Sequence, residues 1–202
     1  MTTPTPQSDR ERWNARYRER GPEAFGDAPS DWLQEHEQLL REQPRGRALD
    51  IACGNGRNAR YLARLGFEVD AIDISEVAIA WLQEKVTENG LAVYPRVADL
   101  TQIELPAGHY QVILNFNYLE RRLFPAITRA LADEGLLFFE TFIRDQIELF
   151  NSRILPKYTL EHTELLRAFD ELRVLHYREG AFWEASREKK RAVASLVGRK
   201  AL

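Results

Sequence analysis

Ala48-Leu49-Asp50-Ile51-Ala52-Cys53-Gly54-Asn55-Gly56-Arg57-Asn58-Ala59 is the stretch on which the reading of this 202-residue chain turns. The apolar run Ala48 to Ala52, with one acid near its C-terminal end, predicts a strand, and Arg57 to Leu65 has helical spacing. Between them Gly54 and Gly56 permit a tight turn, where a ligand can approach the backbone and meet the free N–H groups of the next helix. Counted from Gly54 the pattern is G-x-G-x-x-A, which on its own fits a dinucleotide-binding turn. The charge around the turn separates the candidate ligands. Asp50, four residues before Gly54, would repel a pyrophosphate; an acid there suits a ligand with a cationic part.

Outward from this turn, short apolar runs alternate with helical periods. Strands are predicted at Phe67 to Ile72, Ala92 to Val97, Tyr110 to Phe116 and Leu136 to Phe142. Helices are predicted at Glu76 to Glu88, Leu123 to Leu131 and Leu160 to Phe169. This rhythm argues a Rossmann-like, doubly wound α/β sheet. Two last strands, near Leu172 to Tyr177 and Ala192 to Val197, have no helix between them and so are expected to pair antiparallel. The expectation is seven strands, mostly parallel, with an antiparallel C-terminal strand. Upstream, Asp9 to Arg20 predicts an amphipathic helix and Ser30 an N-cap, with a second helix from Asp31 to about Gln43. Met1 to Ser8 is expected to be a frayed leader.

Three acids stand where a nucleoside ligand needs them. Asp50 ends the first strand, Asp73 closes the second and is placed for ribose hydroxyls, and Asp99 follows the third within reach of an adenine amine. S-Adenosylmethionine, a sulfonium beside an amino group with no phosphate, matches that charge pattern. Each acid taken alone also reads as a strand-end cap.

Asp50 to Gly56 with Asp73 and Asp99 resembles the class I S-adenosylmethionine-dependent methyltransferases. Further segments resemble the small tellurite-resistance and thiopurine type: Trp13-Asn14-Ala15-Arg16-Tyr17, Gly54-Asn55-Gly56-Arg57-Asn58, Gly66-Phe67-Glu68-Val69 and Tyr118 to Pro125 with Glu140-Thr141-Phe142. The resemblance implies S-adenosyl-L-methionine as cofactor. It implies cofactor contacts from Trp13, Arg16, Tyr17, Asp50, Ala52, Gly54, Gly56, Arg57, Asn58, Asp73, Ile74, Asp99, Leu100 and Asn115. Residues 1–44 would then form a leader and lid helices, and residues 45–202 the methyltransferase domain. One position departs from the family pattern: Ala52 stands where the first glycine of Asp-x-Gly-x-Gly-x-Gly is common, and is expected to keep a negative φ. Cys53 reads as a packing residue.

Methyl transfer from a sulfonium is an in-line displacement that needs alignment and exclusion of water more than acid-base chemistry. Asn115 and Tyr118, at the end of the fourth strand, are the catalytic candidates. Asn115-Phe116-Asn117-Tyr118 lacks both prolines of the motif used on amino groups of bases, so the asparagines read equally well as strand-end caps. Arg121 and Arg122 open a helix, against its dipole, and are expected to pair with acids or to grip an acidic substrate. Residues 143–158 form a long connection that reads equally as a packed structural loop or as a lid, with Phe142, Tyr158 and the arginines Arg144 and Arg153 then expected near an acceptor pocket. Arg187, Lys189, Lys190 and Arg191 read as the solvated turn of the last strand pair.

Composition bounds the partners. With 28 Lys and Arg against 31 Asp and Glu, the formal charge is -3, which offers no global attraction for nucleic acid. One cysteine and four scattered histidines give neither a disulfide nor metal-ligand spacing. No run approaches the roughly 20 apolar residues of a membrane span. A cytoplasmic monomer or homodimer acting on a small-molecule acceptor, such as a thiol, a chalcogen oxyanion or an amine, is expected. The rival readings are a nucleotide-dependent oxidoreductase and a non-catalytic scaffold that binds the same cofactor.

Overall fold

The computed structural model describes residues 8–22, 26–185 and 188–202. Seven strands form one sheet: β1 (Arg47–Ile51), β2 (Glu68–Asp73), β3 (Val93–Val97), β4 (Tyr110–Phe116), β5 (Leu131–Phe142), β6 (Leu172–Glu184) and β7 (Lys189–Lys200). Their order is β3-β2-β1-β4-β5-β7-β6. β1 to β5 run parallel, and β7 lies antiparallel between β5 and β6. The expected architecture, including the antiparallel end, is the one observed.

The sheet is buried on both faces because alternate residues feed two apolar clusters. Leu49, Ile51, Ile113, Leu137 and Phe139 point to one side; Ala48, Val112, Leu114, Leu136 and Phe138 point to the other. The helices that cover these faces are α4 (Arg57–Arg64), α5 (Glu76–Asn89), α6 (Phe124–Ala130) and α8 (Glu164–Ala168), joined by the N-terminal α1 (Asp9–Arg20), α2 (Asp31–Glu35) and α3 (Glu37–Glu42) and by α7 (Asp145–Phe150). α5 shows local coding well. The Ser75 side chain accepts the Ala78 N–H at 3.2 Å, and Gly90 ends the helix at φ 61°.

Several boundaries differ from expectation for physical reasons. Ser8 does not fray: it accepts the Glu11 N–H while Glu11 accepts the Ser8 N–H at 2.9 Å, a complete capping box for α1. The remainder of the expected leader, residues 1–7, lies outside the described residues. The helix expected from Asp31 to Gln43 breaks at His36, whose ring stacks on His176 at 4.1 Å and meets Trp32 edge-on. Ser30 sits at the start of α2, but its side chain makes no cap bond. Of the helix expected from Leu160, only Glu164–Ala168 forms, because Leu160 bridges to Ile143. β6 and β7 are about twice their expected length: their charged residues pair across the ladder, Glu184 opposite Lys189, which hides the strands from an apolar reading.

Candidate active site

The carboxyl ends of β1 to β5 open into one cavity of about 1190 Å³, to which the first residues of antiparallel β7 also contribute. α1 closes one side. It is held there by Asn14, whose side-chain oxygen accepts the Ser75 hydroxyl at 2.8 Å, and by Tyr17, which packs edge-on to Trp81. α1 is therefore pinned to α5, at its start through Ser75 and near its middle through Trp81.

That turn is built from alternating left-handed residues. Ala52, Gly54 and Gly56 have φ of 52°, 56° and 72°. Cys53 N–H donates to the Ile72 carbonyl at 3.0 Å, and Gly54 N–H donates to Asp73 Oδ2 at 2.8 Å, so the turn is drawn onto the end of β2. The negative φ expected for Ala52 is thus overturned: the chain must reverse there to deliver Gly54 to Asp73, and an alanine takes a conformation that favours glycine. Gly54 and Gly56 differ in what they allow. A Cβ on Gly54 would fall 2.7 Å from the Tyr17 hydroxyl, on the cavity side. A Cβ on Gly56 would fall 2.2 Å from Leu82 Cδ1, in the core, and Gly56 does not line the cavity.

Asp50 is the most unusual group in the site. It is 2% exposed, and a backbone bond from the Ala59 N–H in the first turn of α4 serves its carboxylate. Its Oδ2 is buried with no hydrogen-bond partner, and the residue lines the cavity. Burial raises its pKa to about 7, opposed by the Ala59 bond and by Arg57 and assisted by Asp73. An orphaned buried carboxylate oxygen on a residue of the cavity wall favours a cation or a hydrogen-bond donor beside it. Burial likewise raises Asp73, although its two oxygens accept the Gly54 and Ser75 N–H groups, each at 2.8 Å. Asp99 accepts the N–H and hydroxyl of Thr101 at 2.9 and 2.7 Å, which fixes the loop after β3 with the carboxylate on the cavity wall.

The remaining site candidates divide. Trp13, Arg16, Tyr17, Ile74, Leu100 and Tyr118 line the cavity. Arg57 and Asn58 line it too, yet their hydrogen bonds reach outward: Arg57 donates to the Ala28 carbonyl, and Asn58 Oδ1 accepts the Ser30 N–H. Asn115 does not line it; its side chain is buried and donates to the Tyr118 carbonyl at 2.8 Å, fixing the loop that presents Tyr118. Burial, then Glu120 and Asp99, push the Tyr118 hydroxyl above its usual range, so it stays protonated. Burial, with Asp50 and Asp73 nearby, also raises the Cys53 thiol, in keeping with a packing role.

Phe142, Arg153 and Tyr158 reach the cavity as expected, whereas Arg144 turns away to pair with Glu161. Arg121 and Arg122 pair with acids, Glu164 and Glu120 respectively. Arg191 overturns its expected place in a solvated turn. It is 2% exposed, bonds Glu184 at 2.8 Å, lies 3.5 Å from Glu140, donates to Asn117 Oδ1 and covers the Phe142 ring. Arg187, from the same cluster, lies outside the described residues. The sequence did hold a signal for this network: Glu140 interrupts a long apolar run, and a carboxylate inside such a strand needs a buried partner.

Residues 48–135 match the family model described as a methyltransferase domain. The chain is 30% identical over 175 residues to the Bacillus subtilis (strain 168) protein named "Putative methyltransferase YqeM", covering 80% of this chain and 70% of that protein. It is 33% identical over 120 residues to the ubiquinone biosynthesis O-methyltransferase of Caulobacter sp. (strain K31), covering 56% of this chain and 48% of that one. These alignments span about half to seven tenths of the relatives' length. The crystal structure of TehB from Haemophilus influenzae superposes with a TM-score of 0.70 at 20% identity, over 84% of this chain and 61% of that chain, a likeness of fold. Among the described residues no helix is long and apolar enough to cross a membrane. The chain belongs to the class I S-adenosylmethionine-dependent methyltransferases.

Proposed function

We propose that the cavity binds S-adenosylmethionine at the β1–β3 side and that the chain moves its methyl group to a small-molecule acceptor entering from the β5–β7 side. The observation that carries this is the orphaned, buried Oδ2 of Asp50 on the cavity wall. An anionic ligand is repelled there, whereas a ligand bearing an ammonium donates to that oxygen and its sulfonium adds favourable charge. The groups around it fit the same ligand, since Asp73 and Asp99 offer acceptors to ribose and adenine and Gly54 itself carries no side chain into the cavity.

When bound, the cofactor supplies a methyl group on an already activated leaving sulfur. The protein's part is to hold and to shield. Asp50 draws positive charge to the end of β1, Asp73 and Asp99 fix the nucleoside, and Trp13 and Tyr17 on α1 exclude water. Asn115 sets the Tyr118 loop. The protonated Tyr118 hydroxyl acts as a hydrogen-bond donor that orients the acceptor, and Glu120 is held below its usual range by Arg122 and so is a poor base. No residue is thereby assigned as a general base, which suits acceptors that bring their own electron pair.

Calorimetric titration with S-adenosylmethionine, S-adenosylhomocysteine and NADH tests the cofactor assignment. Micromolar binding of the first two and none of NADH is expected. A panel of small thiols, carboxylates, oxyanions and amines, followed by S-adenosylhomocysteine formation, then tests the acceptor class; turnover only on protein or RNA would overturn it.

A further inference from the structure

The part of the cavity wall that follows β5 and lies on β7 carries Arg153, Lys189, Lys190 and Arg191 and, among the described residues, no carboxylate. Among the described residues the whole lining carries ten Lys and Arg side chains and five carboxylates, although the whole chain is formally -3. The sheet order explains this acid-free side. The strand-end acids Asp50, Asp73 and Asp99 belong to β1, β2 and the end of β3, while Arg153 follows β5 and Lys190 lies on β7. Because β7 runs antiparallel to β5, its first residues return to the edge where the parallel strands end, with Val193 opposite Phe142. The C-terminal hairpin thus carries cations to the edge that the parallel strands furnish with acids.

Ion pairing leaves this side unbalanced. Arg12 pairs with Asp9, Arg122 with Glu120, and Arg191 with Glu184 and Glu140. Asp50, Asp73 and Asp99 form no salt bridge among the described residues, and neither do Arg153 and Lys190. Arg153 and Lys190 therefore stand without an acid partner on the side of the cavity away from Asp50, Asp73 and Asp99. Between them the wall is apolar and aromatic: Phe142, Ile154, Leu155 and Tyr158, with the Arg191 guanidinium 4.5 Å over the Phe142 ring. Level with the end of β4, two strand spacings or about 10 Å across the sheet, β7 presents Ser195, and Lys190 lies five residues further along β7 toward the cavity edge.

We infer that the methyl acceptor is a small organic anion, an apolar body bearing a carboxylate or phosphate, whose charge is held by Arg153 and Lys190 while its nucleophilic atom faces the end of β4. The inference rests on the methyltransferase reading of the cavity and gives it a substrate class. The acceptor's lone pair forms the new bond to the methyl carbon as the carbon–sulfur bond breaks, and that electron pair returns to sulfur, leaving a neutral thioether. The remote acid takes no part in bond making; it sets orientation and affinity.

The test uses the full chain. S-Adenosylhomocysteine affinity is measured first, by calorimetry, so that a failure of the cofactor site is seen separately. Benzoate, phenyl phosphate, benzamide and benzylamine are then titrated into the protein, with and without S-adenosylhomocysteine. Benzoate or phenyl phosphate is expected to bind at least tenfold more tightly than benzamide, with benzylamine weakest and with affinity falling as salt rises. The preferred anion tells a carboxylate from a phosphate acceptor. In the double variant Arg153→Glu, Lys190→Glu the anion affinity should fall at least tenfold, with S-adenosylhomocysteine affinity and melting temperature unchanged. Equal binding of benzamide, no effect of the double variant, or tighter binding of a single-stranded RNA oligomer than of either anion would overturn the inference.

Discussion

The carboxylate of Asp73 accepts the backbone N–H of Gly54 at 2.8 Å, and through that bond the end of β2 fixes the shape of the turn after β1. Its other oxygen accepts the Ser75 N–H, also at 2.8 Å, so one side chain organises both the turn and the start of α5. Asp73→Ala leaves two buried donors without partners. The expected loss is about 2 kcal/mol of stability, the unmet donors outweighing relief of the carboxylate's burial. Affinity for S-adenosylhomocysteine should fall at least tenfold. Asp73→Asn restores one acceptor and is expected to fall between wild type and Asp73→Ala. Urea denaturation and calorimetry measure both; a variant with unchanged affinity would show that the turn holds its shape without Asp73.

Asp50 makes binding depend on pH. Burial raises its pKa from 3.8 to about 7 in the ligand-free protein. A raised folded pKa contributes stability that is complete below 3.8 and lost as pH rises through 7, so the ligand-free protein should become less stable over that window. A cationic ligand prefers the ionised form. S-Adenosylmethionine affinity is therefore expected to rise about tenfold per unit up to pH 7 and to level above it, with release of about one proton per ligand at pH 6. Titrations in two buffers of different ionisation enthalpy read that proton. Asp50→Asn should bind weakly and lose the pH dependence; a wild-type affinity flat from pH 5 to 8 would remove Asp50 from the cation site.

Ala52 offers a test in the stabilising direction. Its φ of 52° places an L side chain in the left-handed region, a strain of roughly 1–2 kcal/mol that glycine avoids, offset in part by glycine's greater freedom when unfolded. Ala52→Gly is expected to gain about 1 kcal/mol, or about 2–4 °C in melting temperature for a chain of this size. A lower melting temperature would mean that the Ala52 methyl group supports the turn by packing.

How legible the molecule is from sequence depends on whether a residue's role is local. The parallel strands could be read because each is an apolar run closed by a turn, and Asp50, Gly54, Asp73 and Asp99 because strand ends in a doubly wound sheet converge on one edge. Asn115 was harder. Its position beside that edge is legible, but the direction of its amide, toward the Tyr118 carbonyl, depends on how the loop returns. Gly56 matches a ligand-turn pattern equally well whether its missing Cβ makes room for a ligand or, as found, for Leu82. The ends of β6 and β7 escaped because charged residues that satisfy one another across a ladder look, in one dimension, like a solvated loop.

Arg191 is the clearest case of such a misread residue, and its removal has a sign that separates structure from solvation. The guanidinium balances Glu140 and Glu184, both buried, and holds Asn117 at the end of β4. Arg191→Met keeps much of the volume but takes a shared cation from two buried carboxylates, Glu140 retaining Arg178 at 3.5 Å, an expected loss of about 3 kcal/mol near neutral pH. Burial already raises Glu140 above its ordinary value, against the pull of Arg191; without that pull it rises further. A carboxyl group whose folded pKa is raised favours the fold where it is protonated. The deficit of the variant should therefore shrink as pH falls from about 8 to about 5, whereas a deficit caused by lost packing would not change. Pairing Arg191→Met with Glu140→Gln should recover part of the loss, and urea denaturation of the four proteins at both pH values reads the coupling. A pH-independent deficit with no recovery would assign Arg191 to packing over Phe142 in place of charge balance.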